Sequence, residues 1–204
     1  MNASVGKTGS AVTGISVLLF ALTMLFADGI FASCLASMFI AMGFIPFMCA
    51  IFALSRRDDK KGLGFTGIAF SVVYAVIILL VYYSECTTVR LNASLSNEAL
   101  SIISFGHTGS LFFNYDLLGY AIMSLSTFIM AFLVEPECKS DRIFKWLLLI
   151  HGIFFLPCLV IPMFPVFTPD TAGYVGTVVL EIWCLYFLPV CVLGYRYFSR
   201  KAEK

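Results

Sequence analysis

The residues most able to do chemistry in this chain are few, and most of them sit in apolar surroundings. Glu181 lies in VVLEIWCLYF (178–187) and His151 in LLLIHGIFF (147–155). A carboxylate at the centre of a bilayer costs about 2.5–3.5 kcal/mol on insertion scales, so it must be protonated, paired or hydrated. Glu181 is therefore expected to face the interior of a helix bundle and to have a polar partner there. Thr177, Glu181 and Cys184 share one helical face, and Asp116, Tyr120, Ser124 and Thr127 fall on another stripe at helical spacing. A polar stripe within lipid turns inward. Together these define a candidate ligand-binding or proton site of Glu181, His151, Asp116, Tyr120, Ser124 and Thr177. The plainer alternative is a set of hydrogen bonds that fix helix rotation, because polar side chains also serve as glue between membrane helices.

Known catalytic patterns are missing. There is no H-E-x-x-H, no G-x-S-x-G and no phosphate-binding loop, so no catalytic residue is assigned, and no cofactor site is recognised. His107, Glu85, Cys86 and Asp116 are metal-ligand types in one region, but no regular ligand spacing links them.

The elements that position these residues follow from composition. The chain has 204 residues, 60% of them hydrophobic and 12% charged, where a soluble domain carries about a quarter charged residues. Its mean hydropathy is +0.96. Runs of about 20 apolar residues match the ~30 Å hydrocarbon layer, and six are present, roughly Ser10–Ala27, Ile30–Leu54, Leu63–Tyr83, Leu117–Val134, Ile143–Phe164 and Gly173–Phe198. The ~10-residue alternation of a β-barrel is lacking. The expectation is an all-α polytopic transmembrane bundle of six helices forming a single integral membrane domain over residues 1–204. Asp28-Gly29 between the first two runs reads as a turn, and the first run is expected to remain as a helix rather than be removed as a signal.

Charge sets the orientation. Twelve of the 13 Lys and Arg residues fall on one side of the six-span arrangement: Lys7, the 56–61 group, the 139–145 group and the 196–204 group. Only Arg90 falls on the other. Cytoplasmic loops are the basic ones, so both termini are expected in the cytoplasm. Net charge is +1, which gives no reason to expect nucleic acid as a partner.

Depth then relates the two buried ionisable groups. At 1.5 Å per residue, Glu181 lies ~12 Å below the outer surface and His151 ~12 Å above the inner one. Across ~30 Å of hydrocarbon they differ by only ~6 Å in depth, which makes them candidate partners if their helices adjoin.

The outer loop from Ser84 to Asp116 is the longest connection, and SNEALSIISF (96–105) within it reads as a short helix capped by Ser96 or Asn97. Its two readings are a packed lid and a gating loop. Asn92-Ala-Ser and Asn2-Ala-Ser match the glycosylation acceptor pattern, and only the first lies outside. The seven cysteines form no disulfide framework; Cys86 alone lies in an outer loop, where its one candidate partner is Cys34. Small residues at four-residue spacing, Ser33, Ser37, Ala41 and Gly67, Ser71, Ala75, mark close helix packing or self-association. Pro46 in the second run, and Pro157 and Pro162 in the fifth, are paired interruptions of the kind found at transporter binding sites. LPCLVIPMFPVFTP predicts a bend near Pro157 and loss of regular helix by Pro165.

The segment DLLGYAIMSLSTFIMAFLV (116–134), through Asp116, Gly119, Tyr120, Met123, Ser124 and Thr127, resembles a span of small multi-pass bacterial membrane proteins. The resemblance implies the cytoplasmic membrane of a prokaryote and transfers no activity. The functional expectation is a membrane protein that binds, senses or moves a small solute through a polar cleft among spans four to six. The alternatives are a structural or accessory subunit of a larger membrane complex, with an oligomeric or complex partner, and an intramembrane enzyme.

Overall fold

The computed structural model describes residues 1–26, 29–92, 94–164 and 169–203, and for residues 169–176 it describes the backbone alone. The described residues are helical without strands: α1 (Asn2–Met24), α2 (Ile30–Leu54), α3 (Lys61–Ser84), α4 (Asn97–Ile103), α5 (Leu111–Ala131), α6 (Lys139–His151), α7 (Phe155–Val160) and α8 (Pro169–Ala202). Five segments are long and apolar enough to cross a membrane: Asn2–Met24, Ile30–Leu54, Asp58–Val89, Lys139–Met163 and Thr177–Ala202. The remaining long helix, α5, has 21 residues, ~31 Å at 1.5 Å each.

Consecutive long elements pack side by side. α1 lies on α2, α2 on α3, α3 on α5, α5 on α6 and α7, α6 on α8, and α8 returns to α1, so the bundle closes on itself. Its interior is aromatic, with Phe44, Phe47, Tyr74, Phe144, Tyr197 and Phe198 among the fully buried side chains. Leu18, Leu22, Val76, Leu80, Ile182 and Leu185 point outward and are exposed. A surface of large aliphatic side chains fits lipid rather than water.

α1 begins well before the apolar run. Its small hydroxyl residues satisfy themselves locally: Ser10 Oγ donates to Gly6 O at 2.8 Å and Thr13 Oγ1 to Gly9 O at 2.8 Å. The glycines let α1 meet α2 backbone to backbone. A Cβ on Gly9 would stand 2.6 Å from the Phe47 nitrogen, and one on Gly43 would stand 2.7 Å from Thr13 Oγ1. On α3 the small stripe faces α5: Ser71 and Ser126 hydroxyls lie 2.8 Å apart, and both bond Gly67 O at 2.9 Å.

The prolines do not act alike. α2 runs unbroken through Pro46, and α8 through Pro189. The fifth apolar run breaks. α6 ends at His151, a 3-10 turn covers Gly152–Phe154, α7 lasts six residues, and a second 3-10 turn, Ile161–Met163, precedes extended Phe164. Pro157 and Pro162 each lack the N–H that would bond four residues back, and each ring crowds that carbonyl. Gly152 lets the break rest on α5, since a Cβ there would meet Phe128 at 2.8 Å. The expectation about Pro165, and the turn at Asp28, lie outside the described residues.

The basic end is tied together by acids. Asp141, buried in the first turn of α6, pairs with Arg200 near the end of α8, and Lys201 pairs with Glu137 at 2.5 Å. At the opposite end α3 continues as a π-helical turn, Glu85–Val89. Ser96 caps α4 by accepting from the Ala99 N–H at 3.1 Å.

Candidate functional site

His151 is a buried polar residue with a partner on each ring nitrogen. It is 0% exposed, at the end of α6, and both ring nitrogens are engaged. The indole Nε1 of Trp183 lies 3.0 Å from Nε2, and Thr127 Oγ1 lies 2.7 Å from Nδ1. Indole nitrogen only donates, so Nε2 accepts and the proton of the neutral imidazole is on Nδ1. Nδ1–H then donates to Thr127, whose own hydroxyl donates to Ser124 O at 2.9 Å. Tyr186 stacks on the ring with centroids 5.8 Å apart, and Phe187 and Phe154 flank it. The imidazole is held as a neutral, fully bonded packing element, and among the described residues no carboxylate bonds it.

Glu181 does not meet His151. It is half-buried on α8, and its enclosed Oε1 has no hydrogen-bond partner. Trp183, two residues on, takes the position at His151 instead. Thr177, one turn before Glu181, is also half-buried. The depth matching of Glu181 and His151 omits rotation about the helix axis: two residues turn an α-helix by about 200°, so Trp183, not Glu181, is the α8 side chain that faces His151.

The stripe on α5 is buried along its length, with Asp116 at 2%, Tyr120 at 5% and Ser124 and Thr127 at 0% exposure. Ser124 donates to Ala121 O at 2.7 Å. Tyr120 touches Trp183 edge to face at 4.7 Å and Tyr74 at 6.2 Å. Asp116 stands differently. The Tyr82 hydroxyl of α3 lies beside its carboxyl and beside the Tyr120 hydroxyl, yet Asp116 Oδ1, Tyr82 Oη and Tyr74 Oη lack a hydrogen bond of normal geometry. Buried polar groups nearly always have partners. Orphaned atoms grouped around one carboxylate make an arrangement with spare bonding capacity and aromatic walls.

A cavity of about 160 Å³ lies at the Arg90 end, lined by Ile30, Phe31, Cys34, Glu85, Cys86, Arg90 and neighbours. Cys34 is within electrostatic reach of both Asp116 and Tyr82. Glu85 accepts from the Phe105 N–H and from Ser104 Oγ at 3.4 Å, so it fastens the segment after α4 across the cluster, where Phe105 packs on Tyr82 at 5.3 Å. Arg90 lies over the Phe31 ring at 4.2 Å. Among the described residues no three His, Cys, Asp or Glu side chains group to hold a metal ion.

Tyr74, Tyr82 and Trp183 are absent from the sequence-derived site. Within apolar runs they read as bulk, and only their contacts with Asp116, Tyr120 and His151 give them a polar role.

Comparison with known protein families, with characterised proteins and with solved structures finds no match.

Proposed function

We propose that this chain is a six-span protein of a prokaryotic cytoplasmic membrane, with α5 as the sixth span and both termini in the cytoplasm, and that it binds a small ammonium-type cation at Asp116. The cation enters from the outer face through the cavity beside Cys34 and lodges among Tyr74, Tyr82 and Tyr120. One observation carries this reading: Asp116 Oδ1 and Tyr74 Oη are buried without a hydrogen-bond partner in one aromatic enclosure, with the Tyr82 hydroxyl beside the carboxyl. A carboxylate only accepts hydrogen bonds, and aromatic faces attract cations, so the ligand that satisfies both is a cation that donates. The basic partition of Lys and Arg supports the orientation. Binding of this kind serves either movement or sensing of the solute.

The test is a thermal-shift series on purified protein with ammonium, methylammonium and tetramethylammonium, repeated on Asp116→Asn. A ligand at a hundredfold excess over its Kd stabilises the folded state by about 2.7 kcal/mol. Stabilisation of the native chain that Asp116→Asn abolishes supports the reading; no response to any of the three counts against it. Orientation is read separately from reporter fusions at Ala202 and near Asn92, which are expected on opposite sides.

A second reading, the accessory subunit, is favoured by Glu181. Glu181, half-buried, adjoins the exposed stripe of Val178, Ile182 and Leu185 on α8, where a neighbouring membrane helix offering a donor would meet its carboxyl. Co-purification of a partner that Glu181→Leu releases would favour this reading.

A further inference from the structure

We infer that Cys34 and Cys86 form a redox-active dithiol at the outer mouth of the bundle, closing to a disulfide on contact with an external disulfide. The inference deepens the proposed site and rests on the outward placement of the Arg90 end. All seven cysteines are free thiols in this structure. Cys34 is buried near the start of α2 and Cys86 is half-buried in the π-helical turn after α3. Their side chains are in contact with each other, although 52 positions separate them in the sequence, and both line the cavity of about 160 Å³.

Exposure orders the two thiols. Cys86 is the more accessible thiol and so the attacking one. Arg90 donates from Nε to Cys86 O at 3.3 Å, which ties its side chain to the turn that carries the thiol. A π-turn is an irregular stretch of the kind that recurs at functional sites, and here it points Cys86 toward α2. Cys34, enclosed behind it, is placed to resolve the intermediate.

The chemistry balances. The Cys86 thiolate attacks one sulfur of an external disulfide; that S–S bond breaks, a mixed disulfide forms and the first external thiolate leaves, taking up the proton Cys86 released. The Cys34 thiolate then attacks the Cys86 sulfur, forming the intramolecular bond and expelling the second external thiolate, which takes the Cys34 proton. The pair loses two electrons and two protons, and the external disulfide gains both. The product ties α2 to the end of α3 beside Asp116 and replaces two thiols in the cavity wall with one S–S bond.

The test uses the whole chain. Protein in native membranes is treated with oxidised glutathione or with reductant, denatured in N-ethylmaleimide and weighed intact, then mapped by peptides. The expected result is five additions after glutathione disulfide and seven after reductant, given seven cysteines, with one cross-linked peptide joining Cys34 to Cys86. Seven additions in both samples, or a bridge between other cysteines, overturn the inference. In Cys34→Ala cells an impermeant maleimide is expected to label Cys86; an unlabelled Cys86 overturns the orientation on which the inference rests. The bridge is expected to persist in Asp116→Asn, so a failed solute reading and a failed redox reading give different results.

Discussion

The Trp183 indole donates to His151 Nε2 at 3.0 Å, and this one bond joins α8 to α6 inside the bundle and fixes which imidazole nitrogen carries the proton. A residue that in the sequence is a candidate for proton chemistry is committed on both sides. Its ring is enclosed by Tyr186, Phe187 and Phe154.

Trp183→Phe keeps most of the ring volume and removes the donor. A buried acceptor left unpaired costs about 1–3 kcal/mol. A lower melting temperature in detergent is expected, with the helical content of the folded protein unchanged. Melting equal to that of the native chain would show that the bond contributes nothing to stability.

The glycine contacts separate two kinds of close approach. A Cβ on Gly9 meets backbone, the Phe47 nitrogen at 2.6 Å, whereas one on Gly67 meets the flexible end of Met130 at 2.8 Å. Overpacking costs about 1–3 kcal/mol where the neighbours cannot move. Gly9→Ala is expected at the upper end of that range and Gly67→Ala below it, measured by thermal melts of the two proteins side by side.

The two ion pairs at the basic end differ by burial. Asp141 is 1% exposed and also accepts from the Glu137 N–H at 3.0 Å, while the Glu137 side chain is 39% exposed. Asp141→Ala strands two partners and is expected to cost about 1–3 kcal/mol. Glu137→Ala removes a more solvated pair, worth about 0–1 kcal/mol. Equal melting temperatures for the two variants would contradict this ranking.

Much of the architecture follows from residue patterns that can be read along the chain. The apolar runs carry the long helices, and Asp116, Tyr120, Ser124 and Thr127 occupy one buried stripe because their spacing matches 3.6 residues per turn. The proline segment breaks where backbone donors are missing. What a single chain does not reveal is rotation and partnership. Whether Glu181 or Trp183 meets His151 depends on how α8 lies against α6, and nothing local to either residue decides it. Tyr74 and Tyr82 join the Asp116 cluster only because α3 packs on α5, a long-range contact. The polar start of α1 lies outside its apolar run because glycine and hydroxyl residues read as loop, whereas here they bond their own helix and seat it on α2.

The central claim is that Asp116 is a ligand-binding carboxylate rather than a structural one. Equilibrium binding of methylammonium to purified native protein, Asp116→Asn and Glu181→Gln tests it most directly. The account predicts that Asp116→Asn weakens binding by at least about tenfold, a loss of about 1.4 kcal/mol, while Glu181→Gln binds as the native chain does. Equal affinity in the native and Asp116→Asn proteins, or loss of binding on Glu181→Gln alone, would contradict it.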